Sequence, residues 1–155
     1  MPQGLLGNVP LNPSPQGQTV LKWAEYFSQK NIDGLASVMS ENWTQKLMPK
    51  SLDIGDRLFT KPQSLLIVET VLRSIKSDIT GTVHEWIEKG DLVVAHITFD
   101  GTSATDGPYN GDFMFWFQVK EEEDGKFRIV SLGEFLDSKF VAAYIEREKI
   151  IIPVF

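Results

Sequence analysis

Two carboxylates near the end of an apolar segment are the side chains of this sequence best suited to chemistry. Residues 128–140 read RIVSLGEFLDSKF and include Glu134 and Asp137. If the segment is a β-strand, alternation places Glu134 on the same face as Leu132 and Leu136. Burial among apolar side chains raises the pKa of a carboxyl group, which suits it to transfer protons near neutral pH. The alternative is that Glu134 reaches water or a basic partner at the end of the strand.

His96 is a second candidate, because imidazole titrates near neutral pH. It lies in the segment VVAHITF, where the alternate residues between Val93 and Phe99 are wholly apolar. If those residues form the buried face, His96 lies on the outer face of the sheet, at a dimer interface. A histidine that points into a pocket is the other interpretation. For His84, in the segment TVHEW, the sequence does not settle which face points inward.

Composition favours one globular domain that binds no nucleic acid. The chain has 155 residues, of which 42% are hydrophobic, enough to build a core. Ten Phe, four Trp and three Tyr make that core aromatic, and such side chains also line pockets for apolar ligands. The net charge is −6 and no cluster of Lys and Arg is present, which argues against nucleic-acid binding.

The sequence lacks common cofactor-binding motifs, cysteine ligands for metals and any segment long enough to span a membrane. Without Cys, disulfides, thiol catalysis and Cys-based zinc sites are excluded, and two His leave little room for another metal site. Nucleotide-binding glycine motifs and the Gly-x-Ser-x-Gly motif are absent, so we expect no cofactor. No apolar run reaches the ~18 residues of a membrane span, and the N-terminus does not resemble a secretory signal. These features predict a cytoplasmic protein with no membrane partner.

The predicted elements are three helices, a four-stranded antiparallel meander, with or without a short extra strand, and a last helix. Residues 1–17 contain four Pro and three Gly and predict a flexible tail, followed by one domain over residues 18–155. Segregated helices and strands indicate an α+β fold. Apolar spacing predicts helices over 18–30, 32–43, 60–76 and 138–148. β-Branched and aromatic residues predict strands over 78–89, 91–101, 111–120 and 126–136. Residues 45–59 are predicted to form a long loop.

Two of these stretches resemble a known family. VHEWIEKGDLVVAHITFDGTS, at 83–103, is similar to the strand, turn and strand of the nuclear-transport-factor-2-like superfamily, in its SnoaL-like branch. DGKFRIVSLGEFLDS, at 124–138, looks like the final strand of that family, and its EFLDS ending is most similar to small stand-alone fungal members. The resemblance covers about residues 18–148. It implies a cone-shaped barrel, in which a curved antiparallel sheet carries the N-terminal helices on its concave face and encloses a cavity.

The resemblance also implies which side chains reach that cavity. In SnoaL-like enzymes an acid near the position of Asp137 is catalytic, although Asp before Ser is also a common helix N-cap. The first helix would roof the cavity, where the Tyr26 hydroxyl would donate a hydrogen bond to a substrate oxygen. The expected catalytic residues are therefore Glu134, Asp137, His96 and Tyr26. The expected substrate-binding residues are Trp23, Trp43, Glu69, Trp86, Tyr109 and Trp116, with core packing or a helix flank as the alternative.

Two functions fit the sequence. The first is a cofactor-free acid–base enzyme, an isomerase, cyclase or dehydratase that acts on a bulky apolar metabolite such as a polyketide or terpenoid. Glu134 would be its leading proton carrier. The second is a non-catalytic module that binds a small molecule or dimerises, because the superfamily includes such members too. Both faces of the segment FMFWFQV at 113–119 are apolar, so we expect a homodimer that covers the outer face of the sheet.

Overall fold

The computed structural model describes residues 4–52, 57–153 and 155, and these ranges form four α-helices and one seven-stranded sheet. The helices are α1 (Pro15–Ser28), α2 (Ile32–Val38), α3 (Lys61–Arg73) and α4 (Ser138–Glu148). The strands are β1 (Leu5–Gly7), β2 (Met39–Met48), β3 (Leu58–Thr60), β4 (Thr80–Lys89), β5 (Leu92–Thr102), β6 (Pro108–Glu121) and β7 (Phe127–Leu136). Their order in the sheet is β1-β4-β5-β6-β7-β2-β3. The predicted α+β class is therefore confirmed.

Local sequence signals set where the long helices begin. At α1, Ser14 Oγ accepts a hydrogen bond from the Gly17 N–H at 3.1 Å, and Pro15 takes the first turn, where no N–H is needed. At α3, the Thr60 N–H donates to Gln63 Oε1 at 2.9 Å, as in a capping box. None of the helices in the described ranges combines the length and apolar character that crossing a membrane requires.

The centre of the sheet is the predicted meander. β4, β5, β6 and β7 pair antiparallel in chain order. Every second residue of β6 from Tyr109 to Val119 is buried, and α1 and α4 pack on this face of the sheet. We call it the inner face. On the opposite, outer face, Trp116 and Phe135 are exposed. The core therefore lies between the inner face and the helices, as the cone-shaped fold requires.

Three strands, β1, β2 and β3, lie outside the predicted four-stranded meander. Residues predicted as the end of the second helix and as a loop form β2, which pairs parallel with β7 and antiparallel with β3. The second helix therefore ends at Val38. Every second residue of β2 from Trp43 to Leu47 faces inward. Because its partner β7 lies far along the chain, long-range pairing rather than local propensity decides this segment. The sheet is mixed, not wholly antiparallel, and it is not closed.

Part of the segment expected to be a flexible tail belongs to the folded domain. β1 pairs parallel with β4, and Leu5 is buried in the core. Burying a leucine side chain contributes about 1.5–3 kcal/mol, which favours docking of this segment. Because α1 begins at Pro15, the domain boundary expected after Gly17 falls inside a helix.

Candidate active site

A cavity lies between the inner face of the sheet and the helices. Its volume is about 120 Å³, somewhat below that of an engineered protein cavity that binds benzene. Apolar side chains form most of its wall: α1 contributes Trp23 and Phe27, α3 contributes Val68, and β6 contributes Phe115. The segment after α4 adds Ile150. A wall of this kind suits an apolar ligand whose orientation is fixed by a few polar groups.

Glu134 is the only residue among Asp, Glu, Lys, Arg and His that lines this cavity within the described part of the chain. It lies on β7 between Leu132 and Leu136, which are both buried. Its cross-strand neighbours are Phe115 on β6 and Leu47 on β2. Among the described residues, none donates a hydrogen bond to its carboxyl group or forms an ion pair with it. The group is therefore partly buried, unpaired and in contact with the cavity.

Burial raises the pKa of Glu134 from 4.5 to about 8, because an apolar wall solvates a carboxylate poorly. At pH 7 most molecules therefore carry the protonated acid, and about a tenth carry the carboxylate. A group whose pKa lies this close to neutral pH can act as a general acid and as a general base. Strongly perturbed carboxyl groups in cavities are also typical of functional sites.

Tyr109 on β6 is a second polar group close to Glu134. Burial, and then the negative charge of Glu134, raises the pKa of its phenol, so the hydroxyl stays protonated and can donate a hydrogen bond. The hydroxyl lies over Gly111, where an added Cβ would be 3.1 Å from the Tyr109 oxygen and would overlap the ring of Phe113. Glycine at this position therefore leaves space for both rings. The Tyr109 hydroxyl has no hydrogen-bond partner among the described residues.

Two other polar contacts of the wall are satisfied within the protein. Trp43 Nε1 donates to Ser64 Oγ at 2.9 Å. The Tyr144 hydroxyl lies 2.6 Å from Ser74 Oγ, and burial raises the pKa of this tyrosine. These contacts fix side chains of β2, α3 and α4 around the cavity.

Gln45 is a polar wall residue whose carboxamide, unlike the polar groups of Trp43 and Tyr144, has no hydrogen-bond partner among the described residues. It lies on β2 between the inward-facing Trp43 and Leu47, and it lines the cavity. Gln45, Tyr109 and Glu134 are therefore polar wall groups that remain available to a ligand.

Four of the residues expected at the site line the cavity, namely Glu134, Trp23, Trp43 and Tyr109. They come from β7, α1, β2 and β6, and the sheet order brings β6, β7 and β2 side by side. These four residues therefore lie at the cavity, as expected. Their roles in catalysis and binding remain predictions.

Asp137 lies outside the cavity. Its Oδ1 accepts a hydrogen bond from the Phe140 N–H at 3.2 Å, and its side chain is exposed at the start of α4. The chain leaves the sheet after Leu136, so Asp137 no longer follows the alternation of the strand. The structure does not support a catalytic position for Asp137, and the N-cap alternative describes it.

His96 faces outward, away from the cavity. Its Nε2 is 2.6 Å from Asp112 Oδ1, and its ring centroid is 4.6 Å from that of His84. His84 occupies a β-bulge, where the pairing of β4 with β5 shifts between Val83 and Glu85. The sheet therefore separates both histidines from the cavity. The described residues contain no group of three or more His, Asp or Glu that could hold a metal ion.

Two helical residues expected at the site also lie elsewhere. Tyr26 packs against α2, where a Cβ on Gly34 would overlap its ring, and Phe27 takes the cavity position on α1 instead. Glu69 forms an ion pair with Arg73 at 2.8 Å on the exposed side of α3. Helical spacing predicts that Trp23 and Tyr26 share one side of α1. Because α2 covers Tyr26, only Trp23 of this pair reaches the cavity.

Trp86 and Trp116 do not line the cavity either. The bulge in β4 turns Trp86 toward the core, where its Nε1 is buried without a partner among the described residues. Trp116 lies on the outer face, because the strict alternation of β6 turns it away when Phe115 faces inward.

Sequence patterns do not mark Gln45, Ser64 or Tyr144 as polar residues of the wall. Gln45 falls in a predicted loop, where the alternation of Trp43, Gln45 and Leu47 is the signal of a strand. Tyr144 falls on the predicted last helix, but its contact with the cavity depends on how α4 docks on the sheet.

Solved structures with the same fold are known. AusH from Aspergillus nidulans has a TM-score of 0.69 and 23% sequence identity, covering 83% of this chain and 88% of AusH. BvnE pinacolase from Penicillium brevicompactum has a TM-score of 0.72 at 18% identity, covering 92% and 99%. IdmH from Streptomyces antibioticus, a proposed polyketide cyclase, has a TM-score of 0.67 at 19% identity, covering 84% and 98%. At these identities the likeness shows the fold. No curated protein matches the sequence.

The sequence also matches a family model, that of the SnoaL-like domain, over residues 20–130. The matched region is more than half of the chain and runs from α1 into β7. It ends four residues before Glu134, so the family match does not itself reach that carboxyl group. The resemblance found in the sequence is confirmed, and this chain belongs to the SnoaL-like family.

Proposed function

We propose that this chain is a cofactor-free acid–base enzyme, an isomerase, cyclase or dehydratase, that acts on an apolar metabolite such as a polyketide or terpenoid. The observation that carries the proposal is Glu134, an unpaired carboxyl group in an apolar cavity with a pKa of about 8. Burying such a group without a partner destabilises a fold, so a task in the cavity best explains its presence. Neighbours of the same fold include a pinacolase and a proposed polyketide cyclase, which supports this class of chemistry.

Glu134 exchanges protons with the substrate in this proposal. In an isomerisation or cyclisation, its carboxylate removes a proton from a carbon beside a carbonyl group, and the electron pair moves onto the carbonyl oxygen. The Tyr109 hydroxyl donates a hydrogen bond to that oxygen and stabilises its charge. In an isomerisation, Glu134 then returns the proton to a different carbon. In a cyclisation, the enolate carbon bonds to a second carbonyl carbon, whose oxygen receives the electron pair and takes the proton from Glu134. Both routes regenerate the carboxylate. In a dehydration, protonated Glu134 gives its proton to a departing hydroxyl, which leaves as water, and then takes a proton from the adjacent carbon.

The size of the cavity limits how the substrate binds. About 120 Å³ accommodates roughly one six-membered ring, so the reacting ring lies against Glu134. A larger metabolite extends past the wall near Ile150 and Ile152, which belong to no helix or strand.

Proton abstraction can be tested before the natural substrate is known. The purified protein is incubated in D₂O with a panel of neutral cyclic ketones and enones, and mass spectrometry follows deuterium incorporation beside the carbonyl group. General-base catalysis is typically worth 10²–10⁴-fold, so Glu134→Gln should slow the exchange by at least ~100-fold.

Asp137→Asn is the matched control, because it changes a carboxylate only three residues away that lies outside the cavity. It should retain the wild-type exchange rate. Exchange in Glu134→Gln at the wild-type rate would refute the proposed function and favour a non-catalytic binding module.

We also propose that the chain forms a homodimer through the outer face of the sheet. Ile87, Trp116 and Phe135 are 57%, 37% and 47% exposed there. Val94 pairs with both Ile87 and Trp116, and Met114 pairs with Phe135, so these side chains form one patch across four strands. Exposed apolar patches of this kind mark interaction sites.

Light scattering tests the dimer. The wild type should have twice the mass of one chain, and Trp116→Glu should have the mass of a monomer. Leu11→Glu, which changes an exposed leucine outside the sheet, should remain dimeric. A monomeric wild type would contradict this part of the proposal.

A further inference from the structure

Gln45 and Tyr109 flank Glu134 on the inner face. They lie on β2 and β6, and β7 with Glu134 runs between these two strands. In the register of β2 and β7, Leu47 pairs with Glu134 and Gln45 pairs with Leu132. Gln45 is therefore a diagonal neighbour of Glu134, with backbones about 8 Å apart as the strand spacing and rise dictate. Long side chains at such positions reach the same small ligand.

The Gln45 carboxamide has no partner, although the same wall pairs other polar groups. Trp43 and Ser64, which also line the cavity, form a hydrogen bond at 2.9 Å. A carboxamide offers two N–H donors and an acceptor oxygen. The carboxamide keeps accessible surface at the cavity wall, so a ligand that supplies a hydroxyl or carbonyl oxygen gains a hydrogen bond from Gln45.

We infer that Gln45 is a substrate-binding residue that holds a hydroxyl or carbonyl oxygen of a neutral ring and thereby keeps that ring against Glu134. The inference rests on the proposed function and adds the chemical group that the site recognises. The carboxamide suits either oxygen, because its N–H groups donate to a carbonyl and its oxygen accepts from a hydroxyl.

The charge of the wall explains why the ring is neutral. Within the described residues, no Lys, Arg or His lines the cavity, and Glu134 is its one carboxyl group. A carboxylate or phosphate on the ring would lie beside Glu134 without a counter-charge, which is strongly unfavourable in an apolar cavity. A ring without any oxygen would leave Gln45 unpaired.

Phenol and toluene are suitable probes, because they differ only by a hydroxyl in place of a methyl group and each is one ring in size. Their dissociation constants are measured by NMR titration of the full-length ¹⁵N-labelled protein. One neutral hydrogen bond changes affinity by about 3- to 10-fold. Gln45→Leu should therefore weaken the binding of phenol, relative to that of toluene, by that factor. In the wild type, the Gln45 side-chain N–H₂ resonances should shift with phenol and stay in place with toluene.

Thr44→Val is the matched control, because Thr44 is the exposed neighbour of Gln45 on the same strand. It should leave the ratio of the two affinities unchanged. Benzoate should produce no saturable shift of cavity residues in any variant. The inference is overturned if the ratio changes less than twofold in Gln45→Leu, if neither phenol nor toluene binds in the cavity, or if benzoate binds there as tightly as phenol.

This experiment measures binding alone, so its failure is separate from that of the proposed function. If Glu134→Gln retains deuterium exchange while Gln45→Leu still loses selectivity for phenol, the acid–base proposal fails and the role of Gln45 stands. If Glu134→Gln abolishes exchange while the selectivity of Gln45→Leu is unchanged, the enzyme proposal stands and the role of Gln45 fails.

Discussion

Replacing Glu134 by Gln should stabilise the protein at alkaline pH and have little effect in acid. The pKa of this carboxyl group is about 8 in the folded protein, against 4.5 as its ordinary value. Below pH 4.5 both the folded and the unfolded chain bind the proton, and the raised pKa costs no stability. Between pH 4.5 and 8 the unfolded chain loses the proton first, so stability falls as pH rises. Above pH 8 the full cost is present.

At 1.36 kcal/mol per pH unit, the difference between these two pKa values means that ionised Glu134 lowers the free energy of unfolding by at most about 5 kcal/mol. Because the side chain keeps part of its surface accessible in the cavity, about 3–5 kcal/mol is the expected range. Gln has the shape of the protonated acid and does not ionise, so it removes this cost. The tyrosines of the wall do not interfere, because the pKa values of Tyr109 and Tyr144 are raised above the ordinary value of 10.

Urea unfolding of the wild type and of Glu134→Gln at pH 5 and pH 9 measures the effect. The gap in unfolding free energy should widen by about 3 kcal/mol in favour of the variant between the two pH values. Groups elsewhere contribute to both proteins alike and cancel. Asp137→Asn is the control, because its stability difference from the wild type should stay constant over this range. A gap for Glu134→Gln that stays constant or narrows would refute the argument that this carboxyl group is buried and unpaired.

Two further predictions concern packing and capping. Gly111→Ala should destabilise the protein by about 1–3 kcal/mol and weaken phenol binding, because the new methyl group overlaps the ring of Phe113. Gly133→Ala is its control in the same unfolding and titration experiments, since its nearest contact would be an ordinary 3.6 Å. Asp137→Ala should cost about 0.5–2 kcal/mol in urea unfolding, because the Phe140 N–H loses its acceptor, and should leave deuterium exchange unchanged. A loss of exchange in Asp137→Ala would return this residue to the list of catalytic candidates.

Strict alternation makes much of the sheet predictable from the sequence. It places Glu134 with Leu132 and Leu136 on the buried face, and the apolar residues opposite His96 indicate that this histidine faces outward. These assignments depend only on the two-residue period of a strand. The same rule fails at His84, because one extra residue in a β-bulge reverses the faces that follow it.

Contacts between distant elements account for what the sequence does not predict. β2 exists because it pairs with β7 and β3, and without that pairing its residues look like the end of a helix and a loop. Gln45 is missed for this reason. Tyr26 does not reach the cavity as expected, because α2 covers the side of α1 on which it lies. The capping role of Asp137 needs the exact residue at which β7 ends and α4 begins, and local patterns define such boundaries poorly.

The place of β7 in the sheet has a consequence for biosynthesis. It follows the other six strands in the chain, yet it lies between β6 and β2 in the sheet. Its parallel pairing with β2 closes a long loop, and such contacts form late because the entropy of closure must be lost first. A nascent chain that has not yet released residues 127–136 from the ribosome therefore exposes the inner edges of β6 and β2. Chaperone engagement should concentrate on this interval of synthesis. A translation product that ends before Phe127 lacks the strand that carries Glu134 and therefore cannot form this cavity wall.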